Sequence, residues 1–365
     1  MRVVMISKAL VVAAYQRKLE ALAEQPGIDL TVVVPQAWAG QKYEPGFVRG
    51  YRTLVQPIRF DGNFHLFHFP KLGRVLNELQ PDIVHVDEEP YNLATVLAVR
   101  QSLAAGARPL FFTWQNLMRR YPPPFSLFER YVYARCPVGI VGNAEAASVL
   151  HQKGYRGVTP VIPQFGVDPE LYAPASLVEP LTDRPFTVGY VGRLTPEKGI
   201  DVLLQAVSHM TGDWRLRIVG NGPLRDTVPH RTADPGIADR VTVEAGVPST
   251  EVPAVMRQLD VLAVPSLTTP AWKEQFGRVI TEAMACGIPV VGSDSGEIPN
   301  VIGDGGLVTP EGNADALSDV LSRLQHDDHL RQALGRQGRA RVLAHFTHAR
   351  IADQTMAAYR QLLDT

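Results

Sequence analysis

The sequence predicts an α/β protein of two Rossmann-like domains, each built on a parallel sheet, facing a central cleft. Three observations carry this. Short β-branched runs alternate with amphipathic stretches along most of the chain, as βαβ units require. The alternation stops once, over residues 163–185, where Pro163, Pro169, Pro174, Pro180 and Pro185 interrupt every helical period and mark a linker. The 365 residues, at about 150 per domain, suit two domains.

In the first half the expected strands are Arg2–Ile6, Leu30–Val34, Asp82–Val86, Pro109–Thr113, Val138–Val141 and Thr159–Ile162. Helical periods fall at Tyr15–Glu24, Leu66–Leu79 and Ala144–Lys153. After the linker come strands Phe186–Val191, Arg215–Val219, Val241–Glu244, Val261–Val264 and Pro289–Gly292, with helices starting near Lys198 and Gly277. Further helical patterns cover Ala314–Leu324, His329–Ala344 and His348–Leu363. The expected divisions are residues 1–165, residues 166–345, and a C-terminal helix at 346–365 that crosses back to the first domain. No 20–50-residue period recurs, which excludes a solenoid.

Composition narrows the class. Hydrophobic residues make 45% and charged residues 20% of the chain, ordinary for a globular enzyme and wrong for a disordered tail. No run approaches the ~18 apolar residues of a membrane span. Met1-Arg2-Val3-Val4-Met5-Ile6 enters a strand directly, with no signal-peptide pattern, so a cytoplasmic protein is expected. Cys136 and Cys286 stand far apart in apolar or small-residue settings and read as free buried thiols. The net charge of −1 conceals an asymmetry: residues 1–165 hold 18 Lys+Arg against 12 Asp+Glu, and the remainder is acidic by seven. A basic half suits an anionic ligand or surface; equally, it suits electrostatic pairing of the two halves. Its cations are too dispersed for a nucleic-acid footprint.

Several chemistries are excluded by missing motifs. The first strand runs into Ser7-Lys8-Ala9-Leu10-Val11-Val12, where a dinucleotide enzyme needs G-x-G-x-x-G. There is no Walker A sequence and no Asp-x-Asp to hold a divalent ion under a diphosphate. His326-Asp327-Asp328-His329 falls between two tail helices and reads as a solvated turn, so no metal site is assigned.

The second half is richer. Gly192-Arg193-Leu194-Thr195-Pro196-Glu197-Lys198-Gly199 follows a strand, and places two cations beyond its C-terminal edge, where they suit a diphosphate. Taken alone, the fragment also reads as an ordinary βα loop. Val219-Gly220-Asn221-Gly222-Pro223 and Glu244-Ala245-Gly246-Val247-Pro248 are further sharp strand ends, the second able to offer backbone to a nucleobase edge. The most specific segment is Glu274-Gln275-Phe276-Gly277 through Glu282 and on to Gly287. Gly277 opens a helix whose first amides form a natural phosphate site, and two carboxylates bracket it. Glu282 is expected to have its head free to accept from hydroxyls.

With these residues the chain resembles the retaining family 4 glycosyltransferases of GT-B fold. The resemblance rests on Gly192-Arg193…Lys198-Gly199, Glu274-x7-Glu282, Gly287-Ile288-Pro289-Val290-Val291-Gly292 and Gly296-Glu297-Ile298-Pro299, within residues 186–310. It implies that the second domain binds a UDP- or GDP-sugar and that no further cofactor is used. Arg193 and Lys198 would hold the diphosphate and, with Glu274, form the catalytic set. Gly192, Phe276 and Gly277 would lend backbone, Glu282 would take ribose hydroxyls, Val247 would border the base, and Glu274 would contact the transferred sugar.

The first half matches more loosely, through Pro81-Asp82-Ile83-Val84-His85-Val86 and Glu89-Pro90. Two departures stand out. No glycine occurs between Ser7 and Ala14, and Trp114-Gln115-Asn116 stands where many members carry a His. Gln115 and Asn116 become the acceptor-side residues, and Gln115 can orient a substrate without shuttling a proton. A glycan or lipid-linked acceptor is implied. Arg119-Arg120-Tyr121-Pro122-Pro123-Pro124-Phe125 reads either as a loop covering the cleft or as a peripheral contact with the inner membrane surface. The rival functions are a sugar-nucleotide epimerase or phosphorylase on this fold, or a silent nucleotide-sugar-binding scaffold. Keeping both Glu274 and Glu282 argues against silence.

Overall fold

The computed structural model describes residues 1–175, 184–228 and 235–364. The chain divides into two compact units, Met1–Gly166 with His348–Thr365, and Val167–Thr347.

The first unit holds strands β1 (Arg2–Ile6), β2 (Asp29–Pro35), β5 (Arg52–Gln56), β6 (Ile83–Val86), β7 (Arg108–Thr113) and β8 (Gly139–Val141), plus a small hairpin of β3 (Ala37–Trp38) and β4 (Gln41–Lys42). The six larger strands form one parallel sheet in the order β5-β2-β1-β6-β7-β8. Their apolar runs, such as Val3–Ile6 and Leu30–Val34, are buried throughout, as strands covered on both faces must be. Helices α1 (Arg17–Ala23), α2 (Leu72–Leu79), α3 (Leu93–Ala104) and α4 (Phe125–Tyr133) lie in the connections between strands, and α5 (Ala144–Gln152) follows the last strand. Asn143 caps α5 by accepting from the Ala146 amide at 2.8 Å.

The second unit repeats the plan. Its strands are β9 (Phe186–Val191), β10 (Trp214–Val219), β11 (Val241–Glu244), β12 (Val261–Val264), β13 (Val290–Ser293) and β14 (Gly306–Thr309), all parallel, in the order β11-β10-β9-β12-β13-β14. Helices α6 (Ile200–Ser208), α7 (Pro235–Ala238), α8 (Val252–Met256), α9 (Arg278–Ala285), α10 (Ile298–Ile302), α11 (Ala314–His326) and α12 (Asp328–His345) complete it. The last helix, α13 (His348–Asp364), belongs to the first unit, where Ile351, Met356, Tyr359 and Leu362 pack with Val3, Met5, Leu19 and Leu22. Setting the hairpin aside, each sheet has the doubly wound order 3-2-1-4-5-6. Its direction reverses between β1 and β6 in one unit and between β9 and β12 in the other.

Three predicted elements differ from the sequence reading in kind, or by more than a residue or two at an end. Thr159–Ile162 is not a strand: Pro160 and Pro163 remove ladder donors, and only isolated bridges, Val138 to Val158 and Val141 to Val161, form beside β8. Helix α2 begins at Leu72 rather than Leu66, because Pro70 disfavours helical backbone at Phe69 and the His68–Arg59 bridge holds that stretch extended. Lys198 closes a 3₁₀ turn instead of opening α6. Gly199, at φ 71°, separates the two. The Pro-rich linker lies partly outside the described residues, at 176–183.

Cys136 and Cys286 are free and buried, and burial pushes the Cys286 thiol up to about 12. His326-Asp327-Asp328-His329 joins α11 to α12, and Asp327 caps α12 by accepting from the Leu330 amide at 2.8 Å. Among the described residues, no helix is long and apolar enough to cross a membrane.

Candidate active site

A pocket of about 180 Å³ opens at the switch point of the second unit, between the C-terminal ends of β9 and β12. In open α/β sheets this is where ligands bind. Gly192, Arg193, Lys198, Glu274 and Gly277 line it, so five of the residues singled out from sequence meet in one place.

The backbone explains why. A Cβ on Gly199 would fall on the Pro265 carbonyl, so the turn carrying Lys198 lies tight against the end of β12. The Leu267 amide donates to the Glu197 carbonyl at 2.8 Å and ties that turn to the next loop. Gly296, at φ 57°, has no room for a Cβ against the Glu274 carbonyl, and the Glu297 amide donates to that same carbonyl at 3.2 Å. The glycines of both motifs therefore serve close backbone approach.

Inside the pocket, Lys198 Nζ donates to Glu274 Oε2 at 2.6 Å, and the two side chains are 16% and 10% exposed. Ser266 Oγ donates to the same carboxylate oxygen at 3.2 Å. The Trp272 ring centroid lies 4.5 Å from the Lys198 ammonium. Arg193 is exposed at the rim, and its carbonyl accepts from the Tyr190 hydroxyl at 2.6 Å. Burial and the Glu274 charge raise the Tyr190 phenol. Gly277, at φ 74°, is the N-cap of α9, and the helix start faces the pocket through Gly277, Arg278 and Val279. First-turn amides carry partial positive charge, so this end and the two cations converge on one anion-sized space.

Three other predicted residues lie off the pocket wall. Phe276 is buried with its ring 5.7 Å from Phe346, so only its backbone remains for a ligand. Val247 sits on a half-exposed loop, tied back where the Gly246 amide donates to Asn221 Oδ1 at 3.3 Å. Glu282 differs from expectation: its head is not free. Being one turn from Arg278 on α9, it accepts from that guanidinium at 3.0 and 3.3 Å and lies near the Tyr172 phenol, which burial and the Glu282 charge raise.

Gln115 and Asn116 belong to the first unit, just after β7. Both are buried; Gln115 Oε1 accepts from Lys153 Nζ at 3.1 Å, and Asn116 Nδ2 donates to Glu145 at 3.4 Å. Lys153 also pairs with Glu129. Nearby, Glu89 accepts from Thr113 Oγ1 at 2.5 Å and the Trp114 amide at 2.9 Å, yet burial still pushes its carboxyl up to about 7. At the β1–β6 switch point, Lys8 pairs with Glu88.

Tyr190, Ser266 and Trp272 were missed in the sequence. Ser266 had a positional signal, being two residues beyond β12. Tyr190 stood only as one residue of the Phe186–Val191 strand run, and Trp272 carried no signal.

Two doubly wound units, one with a basic pocket at its switch point, define an α/β protein of the GT-B architecture. Residues 177–341 match the family described as Glycosyl transferases group 1, and residues 15–171 match Glycosyltransferase Family 4. The chain belongs to this family of glycosyltransferases. Among curated relatives is a GDP-mannose-dependent alpha-(1-6)-phosphatidylinositol monomannoside mannosyltransferase of Mycolicibacterium smegmatis. It is 36% identical over 183 residues, 48% of each chain. A D-inositol 3-phosphate glycosyltransferase of Stackebrandtia nassauensis is 32% identical over 263 residues, 65% of this chain and 57% of that protein. The matches thus span about half the length of these relatives. Anabaena Alr3699/HepE, solved in complex with UDP, shares the fold at TM-score 0.76 and 18% identity, over 99% of this chain and 100% of that one. Sucrose-phosphate synthase from Thermosynechococcus elongatus does so at 0.74 and 22%, over 100% and 99%.

Proposed function

We propose that this protein is a hexosyltransferase that moves a sugar from a UDP- or GDP-sugar to a glycan, lipid-linked or small-molecule acceptor, with retention and without a metal. The observation that carries the reading is the convergence of Arg193, the Lys198–Glu274 pair and the α9 N-terminus on one pocket. A leaving diphosphate needs fixed positive charge in a sheltered place, and Lys198 and the α9 amides stand there before any ligand arrives, with Arg193 at the rim. The relatives' named use of GDP-mannose and the UDP complex of a fold neighbour support the donor class.

In this reading the bond from sugar C1 to the phosphate oxygen breaks through an oxocarbenium-like state. Arg193, Lys198 and the α9 amides take up the charge growing on the diphosphate, and Glu274 faces the sugar. The acceptor hydroxyl bonds to C1 on the face the phosphate leaves, and the phosphate oxygen receives its proton. Gln115 and Asn116 contribute to acceptor binding. A cytoplasmic enzyme, resting peripherally on anionic lipid through its basic first half, is the matching location.

The test is release of GDP from GDP-mannose and of UDP from UDP-glucose, with and without a glycan or lipid acceptor fraction, in EDTA and in magnesium. Acceptor-dependent release that survives EDTA, with an unchanged anomeric configuration by NMR, supports the reading. Nucleotide binding with no release points to the silent scaffold. Loss of nucleotide affinity in EDTA removes the metal-free assignment.

A further inference from the structure

We propose that Trp272 is a positioning residue that holds the Lys198 ammonium toward the donor's diphosphate; this rests on the donor-site reading above. Lysine is a poor fixed charge by default, because its four-carbon stem turns freely and must be ordered when a ligand binds. Here its head is gripped by two groups: Glu274 Oε2 at 2.6 Å and the Trp272 indole, whose centroid is 4.5 Å away. An indole face attracts an ammonium electrostatically and is the strongest of the aromatic partners.

The backbone that carries the indole is itself fixed. Thr269 and Trp272 close a tight turn around Pro270-Ala271: the Thr269 amide donates to the Trp272 carbonyl at 2.8 Å, and the Trp272 amide donates to Thr269 Oγ1 at 2.9 Å. The same loop is anchored to the Lys198 turn by the Leu267 amide on the Glu197 carbonyl, and to the β13 side by Thr268 Oγ1 and Ser295 Oγ at 3.0 Å. Trp272 and Lys198 therefore stand on two loops that are fastened to each other. Glu274, two residues after Trp272, is the counter-charge on the same loop. When a diphosphate draws Lys198 off the carboxylate, the indole remains as the partner that keeps the ammonium in the pocket.

The test measures binding of GDP, UDP, GMP and UMP by calorimetry to the full chain and to Trp272→Phe, Trp272→Leu, Lys198→Met and the Trp272→Leu/Lys198→Met double variant. Trp272→Leu should weaken the diphosphate that the wild type binds by about five- to tenfold, leave its monophosphate within about twofold, and add nothing in the Lys198→Met background. Trp272→Phe, which keeps an aromatic face, should restore most of the loss. A loop merely disordered by the substitution would weaken monophosphate and diphosphate alike and persist without Lys198, which would overturn the assignment. Equal diphosphate affinity in all Trp272 variants would overturn it too. Trp272→Phe also gives a readout if Trp272→Leu does not fold: the change in tryptophan fluorescence on diphosphate binding should vanish while binding remains. A change that persists would count against the assignment. Wild type that binds neither GDP nor UDP would overturn both this and the donor reading.

Discussion

Replacing Glu274 with glutamine separates the charge of this side chain from its shape. Glutamine can still accept from Lys198 Nζ and Ser266 Oγ at the 2.6 and 3.2 Å now observed, so the loop need not move. What is lost is the charge-assisted part of those bonds, about 1 kcal/mol, and a counter-charge for a lysine that is 16% exposed. Stability should therefore fall by about 1–3 kcal/mol, the upper end being a fully uncompensated buried cation. Diphosphate affinity should hold or rise, since Lys198 no longer has a resident competitor. Turnover should drop ~100-fold, or about 2.7 kcal/mol, because a carboxylate facing the sugar matters most when positive charge grows at C1. The assay is melting temperature, GDP and UDP calorimetry and donor turnover on one preparation. A folded Glu274→Gln enzyme with near-normal turnover would remove Glu274 from the chemistry. Turnover that only tracked the folded fraction would make the carboxylate a structural tie between Lys198 and Ser266.

Glu282→Gln should weaken nucleotide binding by about 1.5–3 kcal/mol with little change in kcat, measured by calorimetry and steady-state kinetics; unchanged affinity would leave Glu282 as the internal partner of Arg278. Gly296→Ala should cost about 1–3 kcal/mol through its left-handed φ of 57°. It should also lower turnover beyond the folded fraction, because its Cβ presses on the Glu274 carbonyl; urea unfolding beside turnover tests this. His85 is buried, its pKa lowered to about 4 mainly by desolvation, with Lys18 adding to the shift and Asp87 opposing it. Because the unfolded state binds the proton first, stability should be full above pH 6.5 and decline by about 3 kcal/mol as pH falls to 4. His85→Gln should flatten that slope in urea titrations at pH 7.5 and 5, and an equal slope would exclude His85 as its source.

The second unit was legible because its pocket-lining residues sit on strand ends and helix starts, where local chemistry is written in a few adjacent positions. Lys198-Gly199 marks a place where backbone passes close to the Pro265 carbonyl, and Glu274-x-x-Gly277 one where a left-handed φ of 74° turns the chain into α9; glycine is the readable trace of both demands. Edge elements were the weaker signal. The β5 run Arg52–Gln56 is half exposed and mostly polar, so it offers neither a buried run nor a clean alternation, and β14 begins with a glycine. The pairing of Glu282 with Arg278 was present as an i,i+4 spacing, yet whether a carboxylate turns toward its own helix or toward a ligand depends on its neighbours, here Tyr172 from a distant segment. Trp272 shows the same limit. An aromatic two residues before Glu274 has no periodic or motif value of its own; it matters only because Gly199 lets the Lys198 turn close against Pro265, and the Leu267–Glu197 bond then brings the two loops together. Lys198 was identified from sequence as a charge. The fold makes it a charge held by two partners, and that is the property a leaving diphosphate requires.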